Sequence, residues 1–357
     1  MVNSGVKTVT ILGATGSIGD STLHVLRQHR DKFKLKVITG NSNATKLAAI
    51  AKEFNVEFAA TSAEQIIEAA QIESDIVISA IVGIAGLRPT MAAIERGATI
   101  ALANKESLVC AGSLMMDRAA QTGAKIIPVD SEHSAIYQVF DFAAPEKIER
   151  ITLTASGGPF RTLPLSSLKD VTPAQAVAHP KWDMGAKISV DSATMMNKGL
   201  ELIEAAHLFN FPPEKLSVVI HPESIIHSFV HYCDGSVLAQ ASEPDMCVPI
   251  SYALGQGERL CIDSPRLDLT KTISLNFAEV DSARFPCLQI AINAMRSGAA
   301  ATIILNAANE VAVAKFLRGE IRFTEIAEHV EVALSKHSFP NPKSLDDVFA
   351  IDAVVRG

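Results

Sequence analysis

The chain has 357 residues, of which 48% are hydrophobic and 20% charged, with a formal net charge of −7. That length supports two or three domains with cores of their own, and the acidity argues against a general affinity for nucleic acid or an anionic membrane. Five cysteines (Cys110, Cys233, Cys247, Cys261, Cys287), odd in number, widely spaced and without Cys-x-x-Cys, argue against a disulfide framework or zinc ribbon and for a reducing, cytoplasmic setting.

Thr8–Leu12 reads as a strand, Ser17 to about Arg30 as a helix, Leu35–Thr39 as a second strand and Ala44–Phe54 as a second helix; Phe58–Thr61 is a candidate third strand. With a strand so near the start, no signal segment is expected, and no apolar run is expected to reach the ~18 residues of a membrane span. Asp75–Ile81 and Thr99–Ala103 are almost wholly apolar, as strands buried on both faces must be, and Ala124–Val129 is a further short strand. Strand–helix alternation of this kind predicts an open parallel sheet with helices on both sides.

Past Pro145 the pattern changes. Ile151–Ala155, Leu216–His221, Ser228–Tyr232 and Val237–Ala241 read as strands, with Asp234-Gly235 as a hairpin turn, so the middle is α+β with a mostly antiparallel sheet. Ser156–Lys187, rich in Gly, Pro, Ser and Thr, reads as a flexible active-site flap or a disordered segment. Leu288–Arg296, Ala300–Leu317, Phe323–Lys336 and Leu345–Val355 read as a helical bundle. The expected division is a Rossmann-like domain 1–145, a catalytic α+β domain 146–256 with the flap at about 156–187, a linker 257–284 and a helical domain 285–357.

Gly13-Ala14-Thr15-Gly16-Ser17-Ile18-Gly19 lies between the first strand and first helix, where Gly13 permits the turn, Gly16 lets backbone approach a pyrophosphate and Gly19 lets the helix pack on the sheet. The second strand runs into Thr39-Gly40-Asn41-Ser42-Asn43, with no carboxylate to hold a ribose 2′-hydroxyl, which favours NADP over NAD. The plain alternative is a glycine turn in an unrelated α/β domain.

Asp130-Ser131-Glu132 follows a strand, and residues two apart on extended chain share a side, so the two carboxylates are expected to converge. In Met195-Met196-Asn197-Lys198-Gly199-Leu200-Glu201, Asn197 and Glu201 share a helix face and Lys198 stands three before Glu201. A third carboxylate joined to the first two would suit Mg²⁺ or Mn²⁺; the plain alternative is a helix-start salt bridge and an acidic loop. Ser156, Ser192 and the Asn197-Lys198 pair offer donors for a phosphate monoester. His179 and Trp182 sit on the flap, and His133, His221 and His227 lie beside these motifs. No HExxH occurs.

GATGSIG, AIVGIAGL, LANKESLV, PVDSEHSAI, ASGGPF, HPKWDMGAKISVDSATMMNKGLE, HPESIIHS, EPDM and LNAANEVAVAKFL occur in this order. Over nearly the whole chain they resemble the 1-deoxy-D-xylulose 5-phosphate reductoisomerase family. The resemblance implies a homodimer with an NADPH-binding domain, a catalytic domain with a mobile flap and a C-terminal helical domain. It implies isomerisation and NADPH-dependent reduction of the keto-sugar phosphate to 2-C-methyl-D-erythritol 4-phosphate, in the non-mevalonate route to isoprenoids. By it, Thr15, Gly16, Ser17, Ile18, Asn43, Asn104, Glu106 and Gly185 match cofactor contacts, and Asp130, Glu132 and Glu201 match ligands of Mg²⁺ or Mn²⁺, with Co²⁺ a further option. Lys105 and Ser131 match substrate contacts, and Ser156, Ser192, Asn197 and Lys198 a phosphate site with His179 nearby. Trp182 matches the flap indole, and Met184 and Met246 match pocket residues. Lys105, Glu132, His179 and Glu201 are the expected catalytic set. Ser42 departs from the family, standing where many members carry a basic residue. Two other readings remain: a plain NADP-dependent dehydrogenase of a phosphorylated substrate, which needs no metal, and a non-catalytic NADP-binding sensor.

Overall fold

Val9, Thr10, Ile11 and Leu12 are all buried, and a strand buried on both faces needs parallel neighbours with helices over them. The computed structural model, which describes residues 5–182, 184–271 and 273–357, supplies both. Asp183 of the flap motif and the first four residues lie outside the described residues.

In chain order the first elements are β1 (Lys7–Leu12), α1 (Ser17–Gln28), β2 (Phe33–Thr39), α2 (Ala44–Phe54), β3 (Phe58–Ala60), α3 (Ala63–Gln71), β4 (Ile76–Ser79), α4 (Leu87–Glu95), β5 (Thr99–Leu102), α5 (Lys105–Thr122), β6 (Lys125–Pro128) and α6 (Ser131–Val139). Then come β7 (Ile148–Ala155), α7 (Pro173–Val177), α8 (Ala186–Thr194), α9 (Met196–Leu208), β8 (Leu216–Ile220), β9 (Ile226–Tyr232), β10 (Val237–Ala241) and α10 (Cys247–Gly255). The last are α11 (Pro286–Ser297), α12 (Ala299–Leu317), α13 (Glu325–Lys336) and α14 (Leu345–Arg356).

The chain forms two compact units. The first comprises the residues up to Ser107, Met115–Tyr137 and Asp245–Pro265. Its sheet has the order β3-β2-β1-β4-β5-β6, every neighbouring pair parallel. That is the doubly wound order, in which ligands bind beyond the strand ends where the order reverses, here between β1 and β4. α10 corrects the expected boundary at 256. It is nearly all apolar, and Cys247, Ile250, Ala253 and Leu254 enter the core that holds Val9 and Ile11. The chain after it stays attached: His29 Nε2 lies 2.8 Å from Cys261 O, and Asp263 N donates to Gln28 Oε1 at 2.7 Å. The first part of the expected linker is therefore packed structure.

The second unit comprises Leu108–Leu114, Gln138–Pro244 and Arg266–Gly357. Its sheet runs β10-β9-β7-β8, with β9 antiparallel to β7 and β10, and β8 parallel to β7. Gly235, at φ 86°, makes the β9–β10 turn. α9 crosses α11 closely: a Cβ on Gly199 would lie 2.3 Å from Ala291 Cβ. The flap is less irregular than its composition predicts. It holds a 3-10 turn at Leu165–Asp170 and α7, which Thr172 and Gln175 close with reciprocal caps. Leu168, Val171 and Ala176 anchor it in the unit's core. α12 overturns the expectation about apolar runs. Its 19 residues are long and apolar enough to cross a membrane, but 67% of its apolar window is buried inside the protein, with Asn306 and Asn309 in the buried part. It is a core helix.

Candidate active site

The glycine loop of the first unit forms as its residues dictate. Gly13 has φ 95°, and a Cβ there would lie 2.7 Å from Ala80 O. A Cβ on Gly19 would lie 2.3 Å from Ala14 O, so only glycine lets α1 pack this closely. Gly13 N and Ala14 N donate to Thr39 Oγ1 and Thr39 O at 3.0 and 2.7 Å, which fastens the loop to the end of β2. Gly16 caps α1 with no side chain, and both it and Ser17 are exposed. A Cβ on Gly16 would meet only Gly13 O, at 3.6 Å. Open space over the first amides of a helix fits a pyrophosphate. Thr15 and Ile18 flank this opening in sequence.

Asn43 caps α2, accepting from Lys46 N at 3.0 Å. Lys46 Nζ donates to Thr15 O at 3.0 Å and pairs with Asp20 at 2.7 Å. Sequence reasoning missed Lys46, although its place three residues after the helix cap was legible. Asn104 caps α5: its Oδ1 accepts from Ser107 N at 2.8 Å and its Nδ2 donates to Gly83 O at 2.9 Å and to Ile81 O. It therefore ties the chain after β4 to the start of α5. Glu106, in the first turn of α5, is buried near the helix's positive end.

Asp130, Ser131 and Glu132 are not extended, as their place after a strand predicted. α6 begins at Ser131, and Ser134 N donates to Asp130 O at 2.8 Å. Acidic groups at a helix start are favoured by its dipole, which explains why the turn is helical. Ser131 Oγ donates to Glu132 Oε2 at 2.5 Å. Lys105 forms a buried ion pair with Asp130, and His133 Nδ1 stands 4.0 Å from Asp130 Oδ1. Burial alone would raise the Asp130 carboxyl; Lys105 and His133 overcome it and hold the group well below the usual carboxylate range. The carboxylates of Asp130 and Glu132 are hard oxygen donors of the kind Mg²⁺ takes. Met246 precedes α10 and packs against the unit's core.

The second unit gathers the other predicted residues. Ser156 follows β7 directly and leads into the Gly157-Gly158 turn, whose φ values are 79° and 65°. Ser156 Oγ accepts from Gly158 N at 3.1 Å and lies 3.0 Å from His179 Nε2. His179 Nδ1 accepts from Trp182 N at 2.9 Å and Lys181 N at 3.2 Å. The ring is therefore neutral, with its proton on Nε2, and donates to Ser156. Trp182 packs near His227, with ring centroids 6.3 Å apart. Ser156, Arg161, Lys181 and Glu223 help line a cavity of ≈ 320 Å³. Arg161, which sequence reasoning missed, brings a cation to it. Its signal was its place directly after ASGGPF.

On α9, Asn197 and Lys198 each donate to one oxygen of Glu201. Lys198 and Glu201 are both buried, so each charge depends on the other. Ser192 sits on α8, where a Cβ on Gly158 would lie 2.9 Å from Ser192 O. Met184 and Gly185 lead into α8; Gly185 is exposed, and a Cβ there would meet nothing within 4 Å. His221 is structural: Nδ1 lies 2.9 Å from Asn276 O, while Nε2 accepts from Ile225 N and Ile226 N at 3.2 and 3.1 Å.

Sequence models described as 1-deoxy-D-xylulose 5-phosphate reductoisomerase match residues 9–71 and 60–112, and models of that family's C-terminal domains match 126–209 and 241–357. The reductoisomerase of Ralstonia pickettii is 52% identical over 98% of this chain and 95% of its own length, and that of Zymomonas mobilis 47% identical over 98% and 96%. Among solved structures, a DOX-P reductoisomerase in complex with NADPH, fosmidomycin and magnesium superposes with a TM-score of 0.94 at 42% identity, covering 98% of this chain and 97% of that one. The Zymomonas mobilis enzyme in complex with NADPH gives 0.93 at 46% identity, covering 99% and 97%.

Proposed function

The chain belongs to the 1-deoxy-D-xylulose 5-phosphate reductoisomerase family, and from that premise we propose how its residues carry out the reaction. It is an NADPH- and divalent-metal-dependent enzyme that converts 1-deoxy-D-xylulose 5-phosphate to 2-C-methyl-D-erythritol 4-phosphate in isoprenoid precursor biosynthesis. This membership displaces the dehydrogenase and sensor readings.

We assign the glycine loop, with Thr15, Gly16, Ser17 and Ile18, to the pyrophosphate, and Asn43, Asn104, Glu106 and Gly185 to the rest of the cofactor. Asp130, Glu132 and Glu201 are the assigned ligands of Mg²⁺, for which Mn²⁺ or Co²⁺ can substitute at oxygen donors. When bound, the cation supplies Lewis acidity toward the substrate's ketone and hydroxyl oxygens, and NADPH supplies hydride. Lys105 keeps Asp130 ionised and adds positive charge where oxygen charge develops. Ser131 holds a substrate hydroxyl. His179 donates to Ser156, leaving the serine's own proton for the substrate phosphate, which Ser192, Asn197 and Lys198 also hold. Remote phosphate binding orients the carbon skeleton, and Trp182, Met184 and Met246 exclude water from it.

Exposed Val237 and Leu238 on the edge strand β10 support a homodimer through this face, and five free cysteines support a cytoplasmic setting. The observation that carries the assignment is the buried Lys105–Asp130 pair beside Glu132 at the start of α6. Its test is NADPH oxidation with the keto-sugar phosphate, with and without a chelator. Turnover should need added Mg²⁺; turnover that survives chelation would sink the metal assignment.

A further inference from the structure

Asp191 lies in α8, the residue before Ser192, and is 1% exposed. A carboxylate this deep persists only where its charge is met. Lys187 Nζ, one turn earlier on the same helix, lies 2.8 Å from Oδ2. Asn309 Nδ2, on α12, donates to Oδ1 at 2.8 Å. Asn309 is fully buried, and its own Oδ1 has no hydrogen-bond partner among the described residues. An amide left half satisfied in a helix core is costly where an aliphatic side chain would pack without penalty. The contact it makes is therefore the reason to look for a role.

That role follows from what α8 touches. A Cβ on Gly158 would lie 2.9 Å from both Ala193 Cα and Ser192 O, so the backbone of α8 rests directly on the Ser156-Gly157-Gly158 turn. A small shift of α8 passes to that turn without slack. The helix also begins just after Gly185, where the segment bearing His179 and Trp182 ends.

We propose that Asp191 and Asn309 are positioning residues for substrate phosphate: their buried hydrogen bond sets α8 against α12 and so holds Ser192 and the Ser156 turn in register. This rests on the reading of Ser156 and Ser192 as phosphate contacts. Neither positioning residue touches the substrate.

The test uses the full chain with NADPH and Mg²⁺ and compares D191N, N309A and S192A. Inorganic phosphate serves as a competitive probe beside KM, kcat and the melting temperature. D191N and N309A should each raise KM and the phosphate inhibition constant about tenfold, with kcat within about threefold and NADPH affinity unchanged. The D191N/N309D exchange restores a donor–acceptor pair and should recover part of the KM loss. Should D191N not accumulate as folded protein, N309A gives the same reading. The proposal is overturned if N309A lowers the melting temperature while KM and the phosphate constant stay within about twofold of the parent. S192A separates the two claims. If it also leaves the phosphate constant unmoved, the phosphate assignment has failed; if it raises that constant while N309A does not, only the tether has.

Discussion

Lys105 and Asp130 meet as a buried ion pair although they are far apart in the sequence. The sheet explains the encounter. β5 and β6 are parallel neighbours in register, with Leu102 opposite Pro128, so the residues that follow each strand emerge side by side. Removing the ammonium leaves a buried carboxylate without its cation, which costs about 3 kcal/mol. K105M should therefore melt lower than the parent and lose about 100-fold in kcat. Mg²⁺ should raise the melting temperature of K105M more than that of the parent, because the cation replaces the missing charge. Equal shifts, measured by calorimetry with and without Mg²⁺, would remove Asp130 from the cation site.

Met195 joins α8 to α9 in a left-handed conformation, φ 61°, with its side chain buried. That conformation costs a non-glycine residue about 1 kcal/mol or more. M195A keeps the strain and loses the packing, whereas M195G loses the packing but relieves the strain. Urea unfolding should find M195G more stable than M195A by about 1 kcal/mol, the reverse of the order inside a helix. The reverse result would mean that the backbone relaxes out of the left-handed region at no cost.

His207, near the end of α9, stacks so closely on Gly112 that a Cβ there would lie 2.3 Å from the ring. Burial holds its imidazole below the ordinary value. A helix C-terminus favours the charged ring, so desolvation wins here. Because the folded-state value lies below the unfolded value of about 6.5, the unfolded chain takes the proton first. The stabilising contribution is present above that pH and is lost as the pH falls through the folded-state value. The urea midpoint should drop from about pH 7 to about pH 5, and H207L should flatten that drop. An identical drop in H207L would assign the effect to other groups.

The parallel sheet was legible because strands buried on both faces leave apolar runs, and the glycine loop because at Gly13 and Gly19 the backbone leaves no room for a side chain. Asn197, Lys198 and Glu201 were legible because helical spacing is local. The course of Asp130–Glu132 was not, since a short helix directly after a strand carries no period of its own. Nor did the order of residues say which core would take α10, because an apolar helix reports only that it must be buried. Asn309 was invisible for a related reason. Within LNAANEVAVAKFL it reads as one more residue of a core helix, and only the placing of α12 against α8 reveals its partner Asp191.

The three glycines of the loop between β1 and α1 can be told apart by what surrounds them. At Gly13 a side chain meets both a positive φ and Ala80 O, and at Gly19 it meets the backbone of Ala14. Both obstacles are backbone, at the end of β4 and in the loop before α1, and neither moves without shifting the chain around it. G13A and G19A should each cost about 2 kcal/mol or more and lower the melting temperature with or without cofactor. Gly16 has an ordinary φ of −86° and open space around it, so G16A should fold within about 0.5 kcal/mol of the parent. A methyl group there would stand between the α1 amides and the pyrophosphate, and NADPH affinity should fall about tenfold or more. Calorimetric titration of G16A with NADPH decides the matter. Affinity equal to the parent's would place the pyrophosphate elsewhere, whatever the glycine pattern suggests.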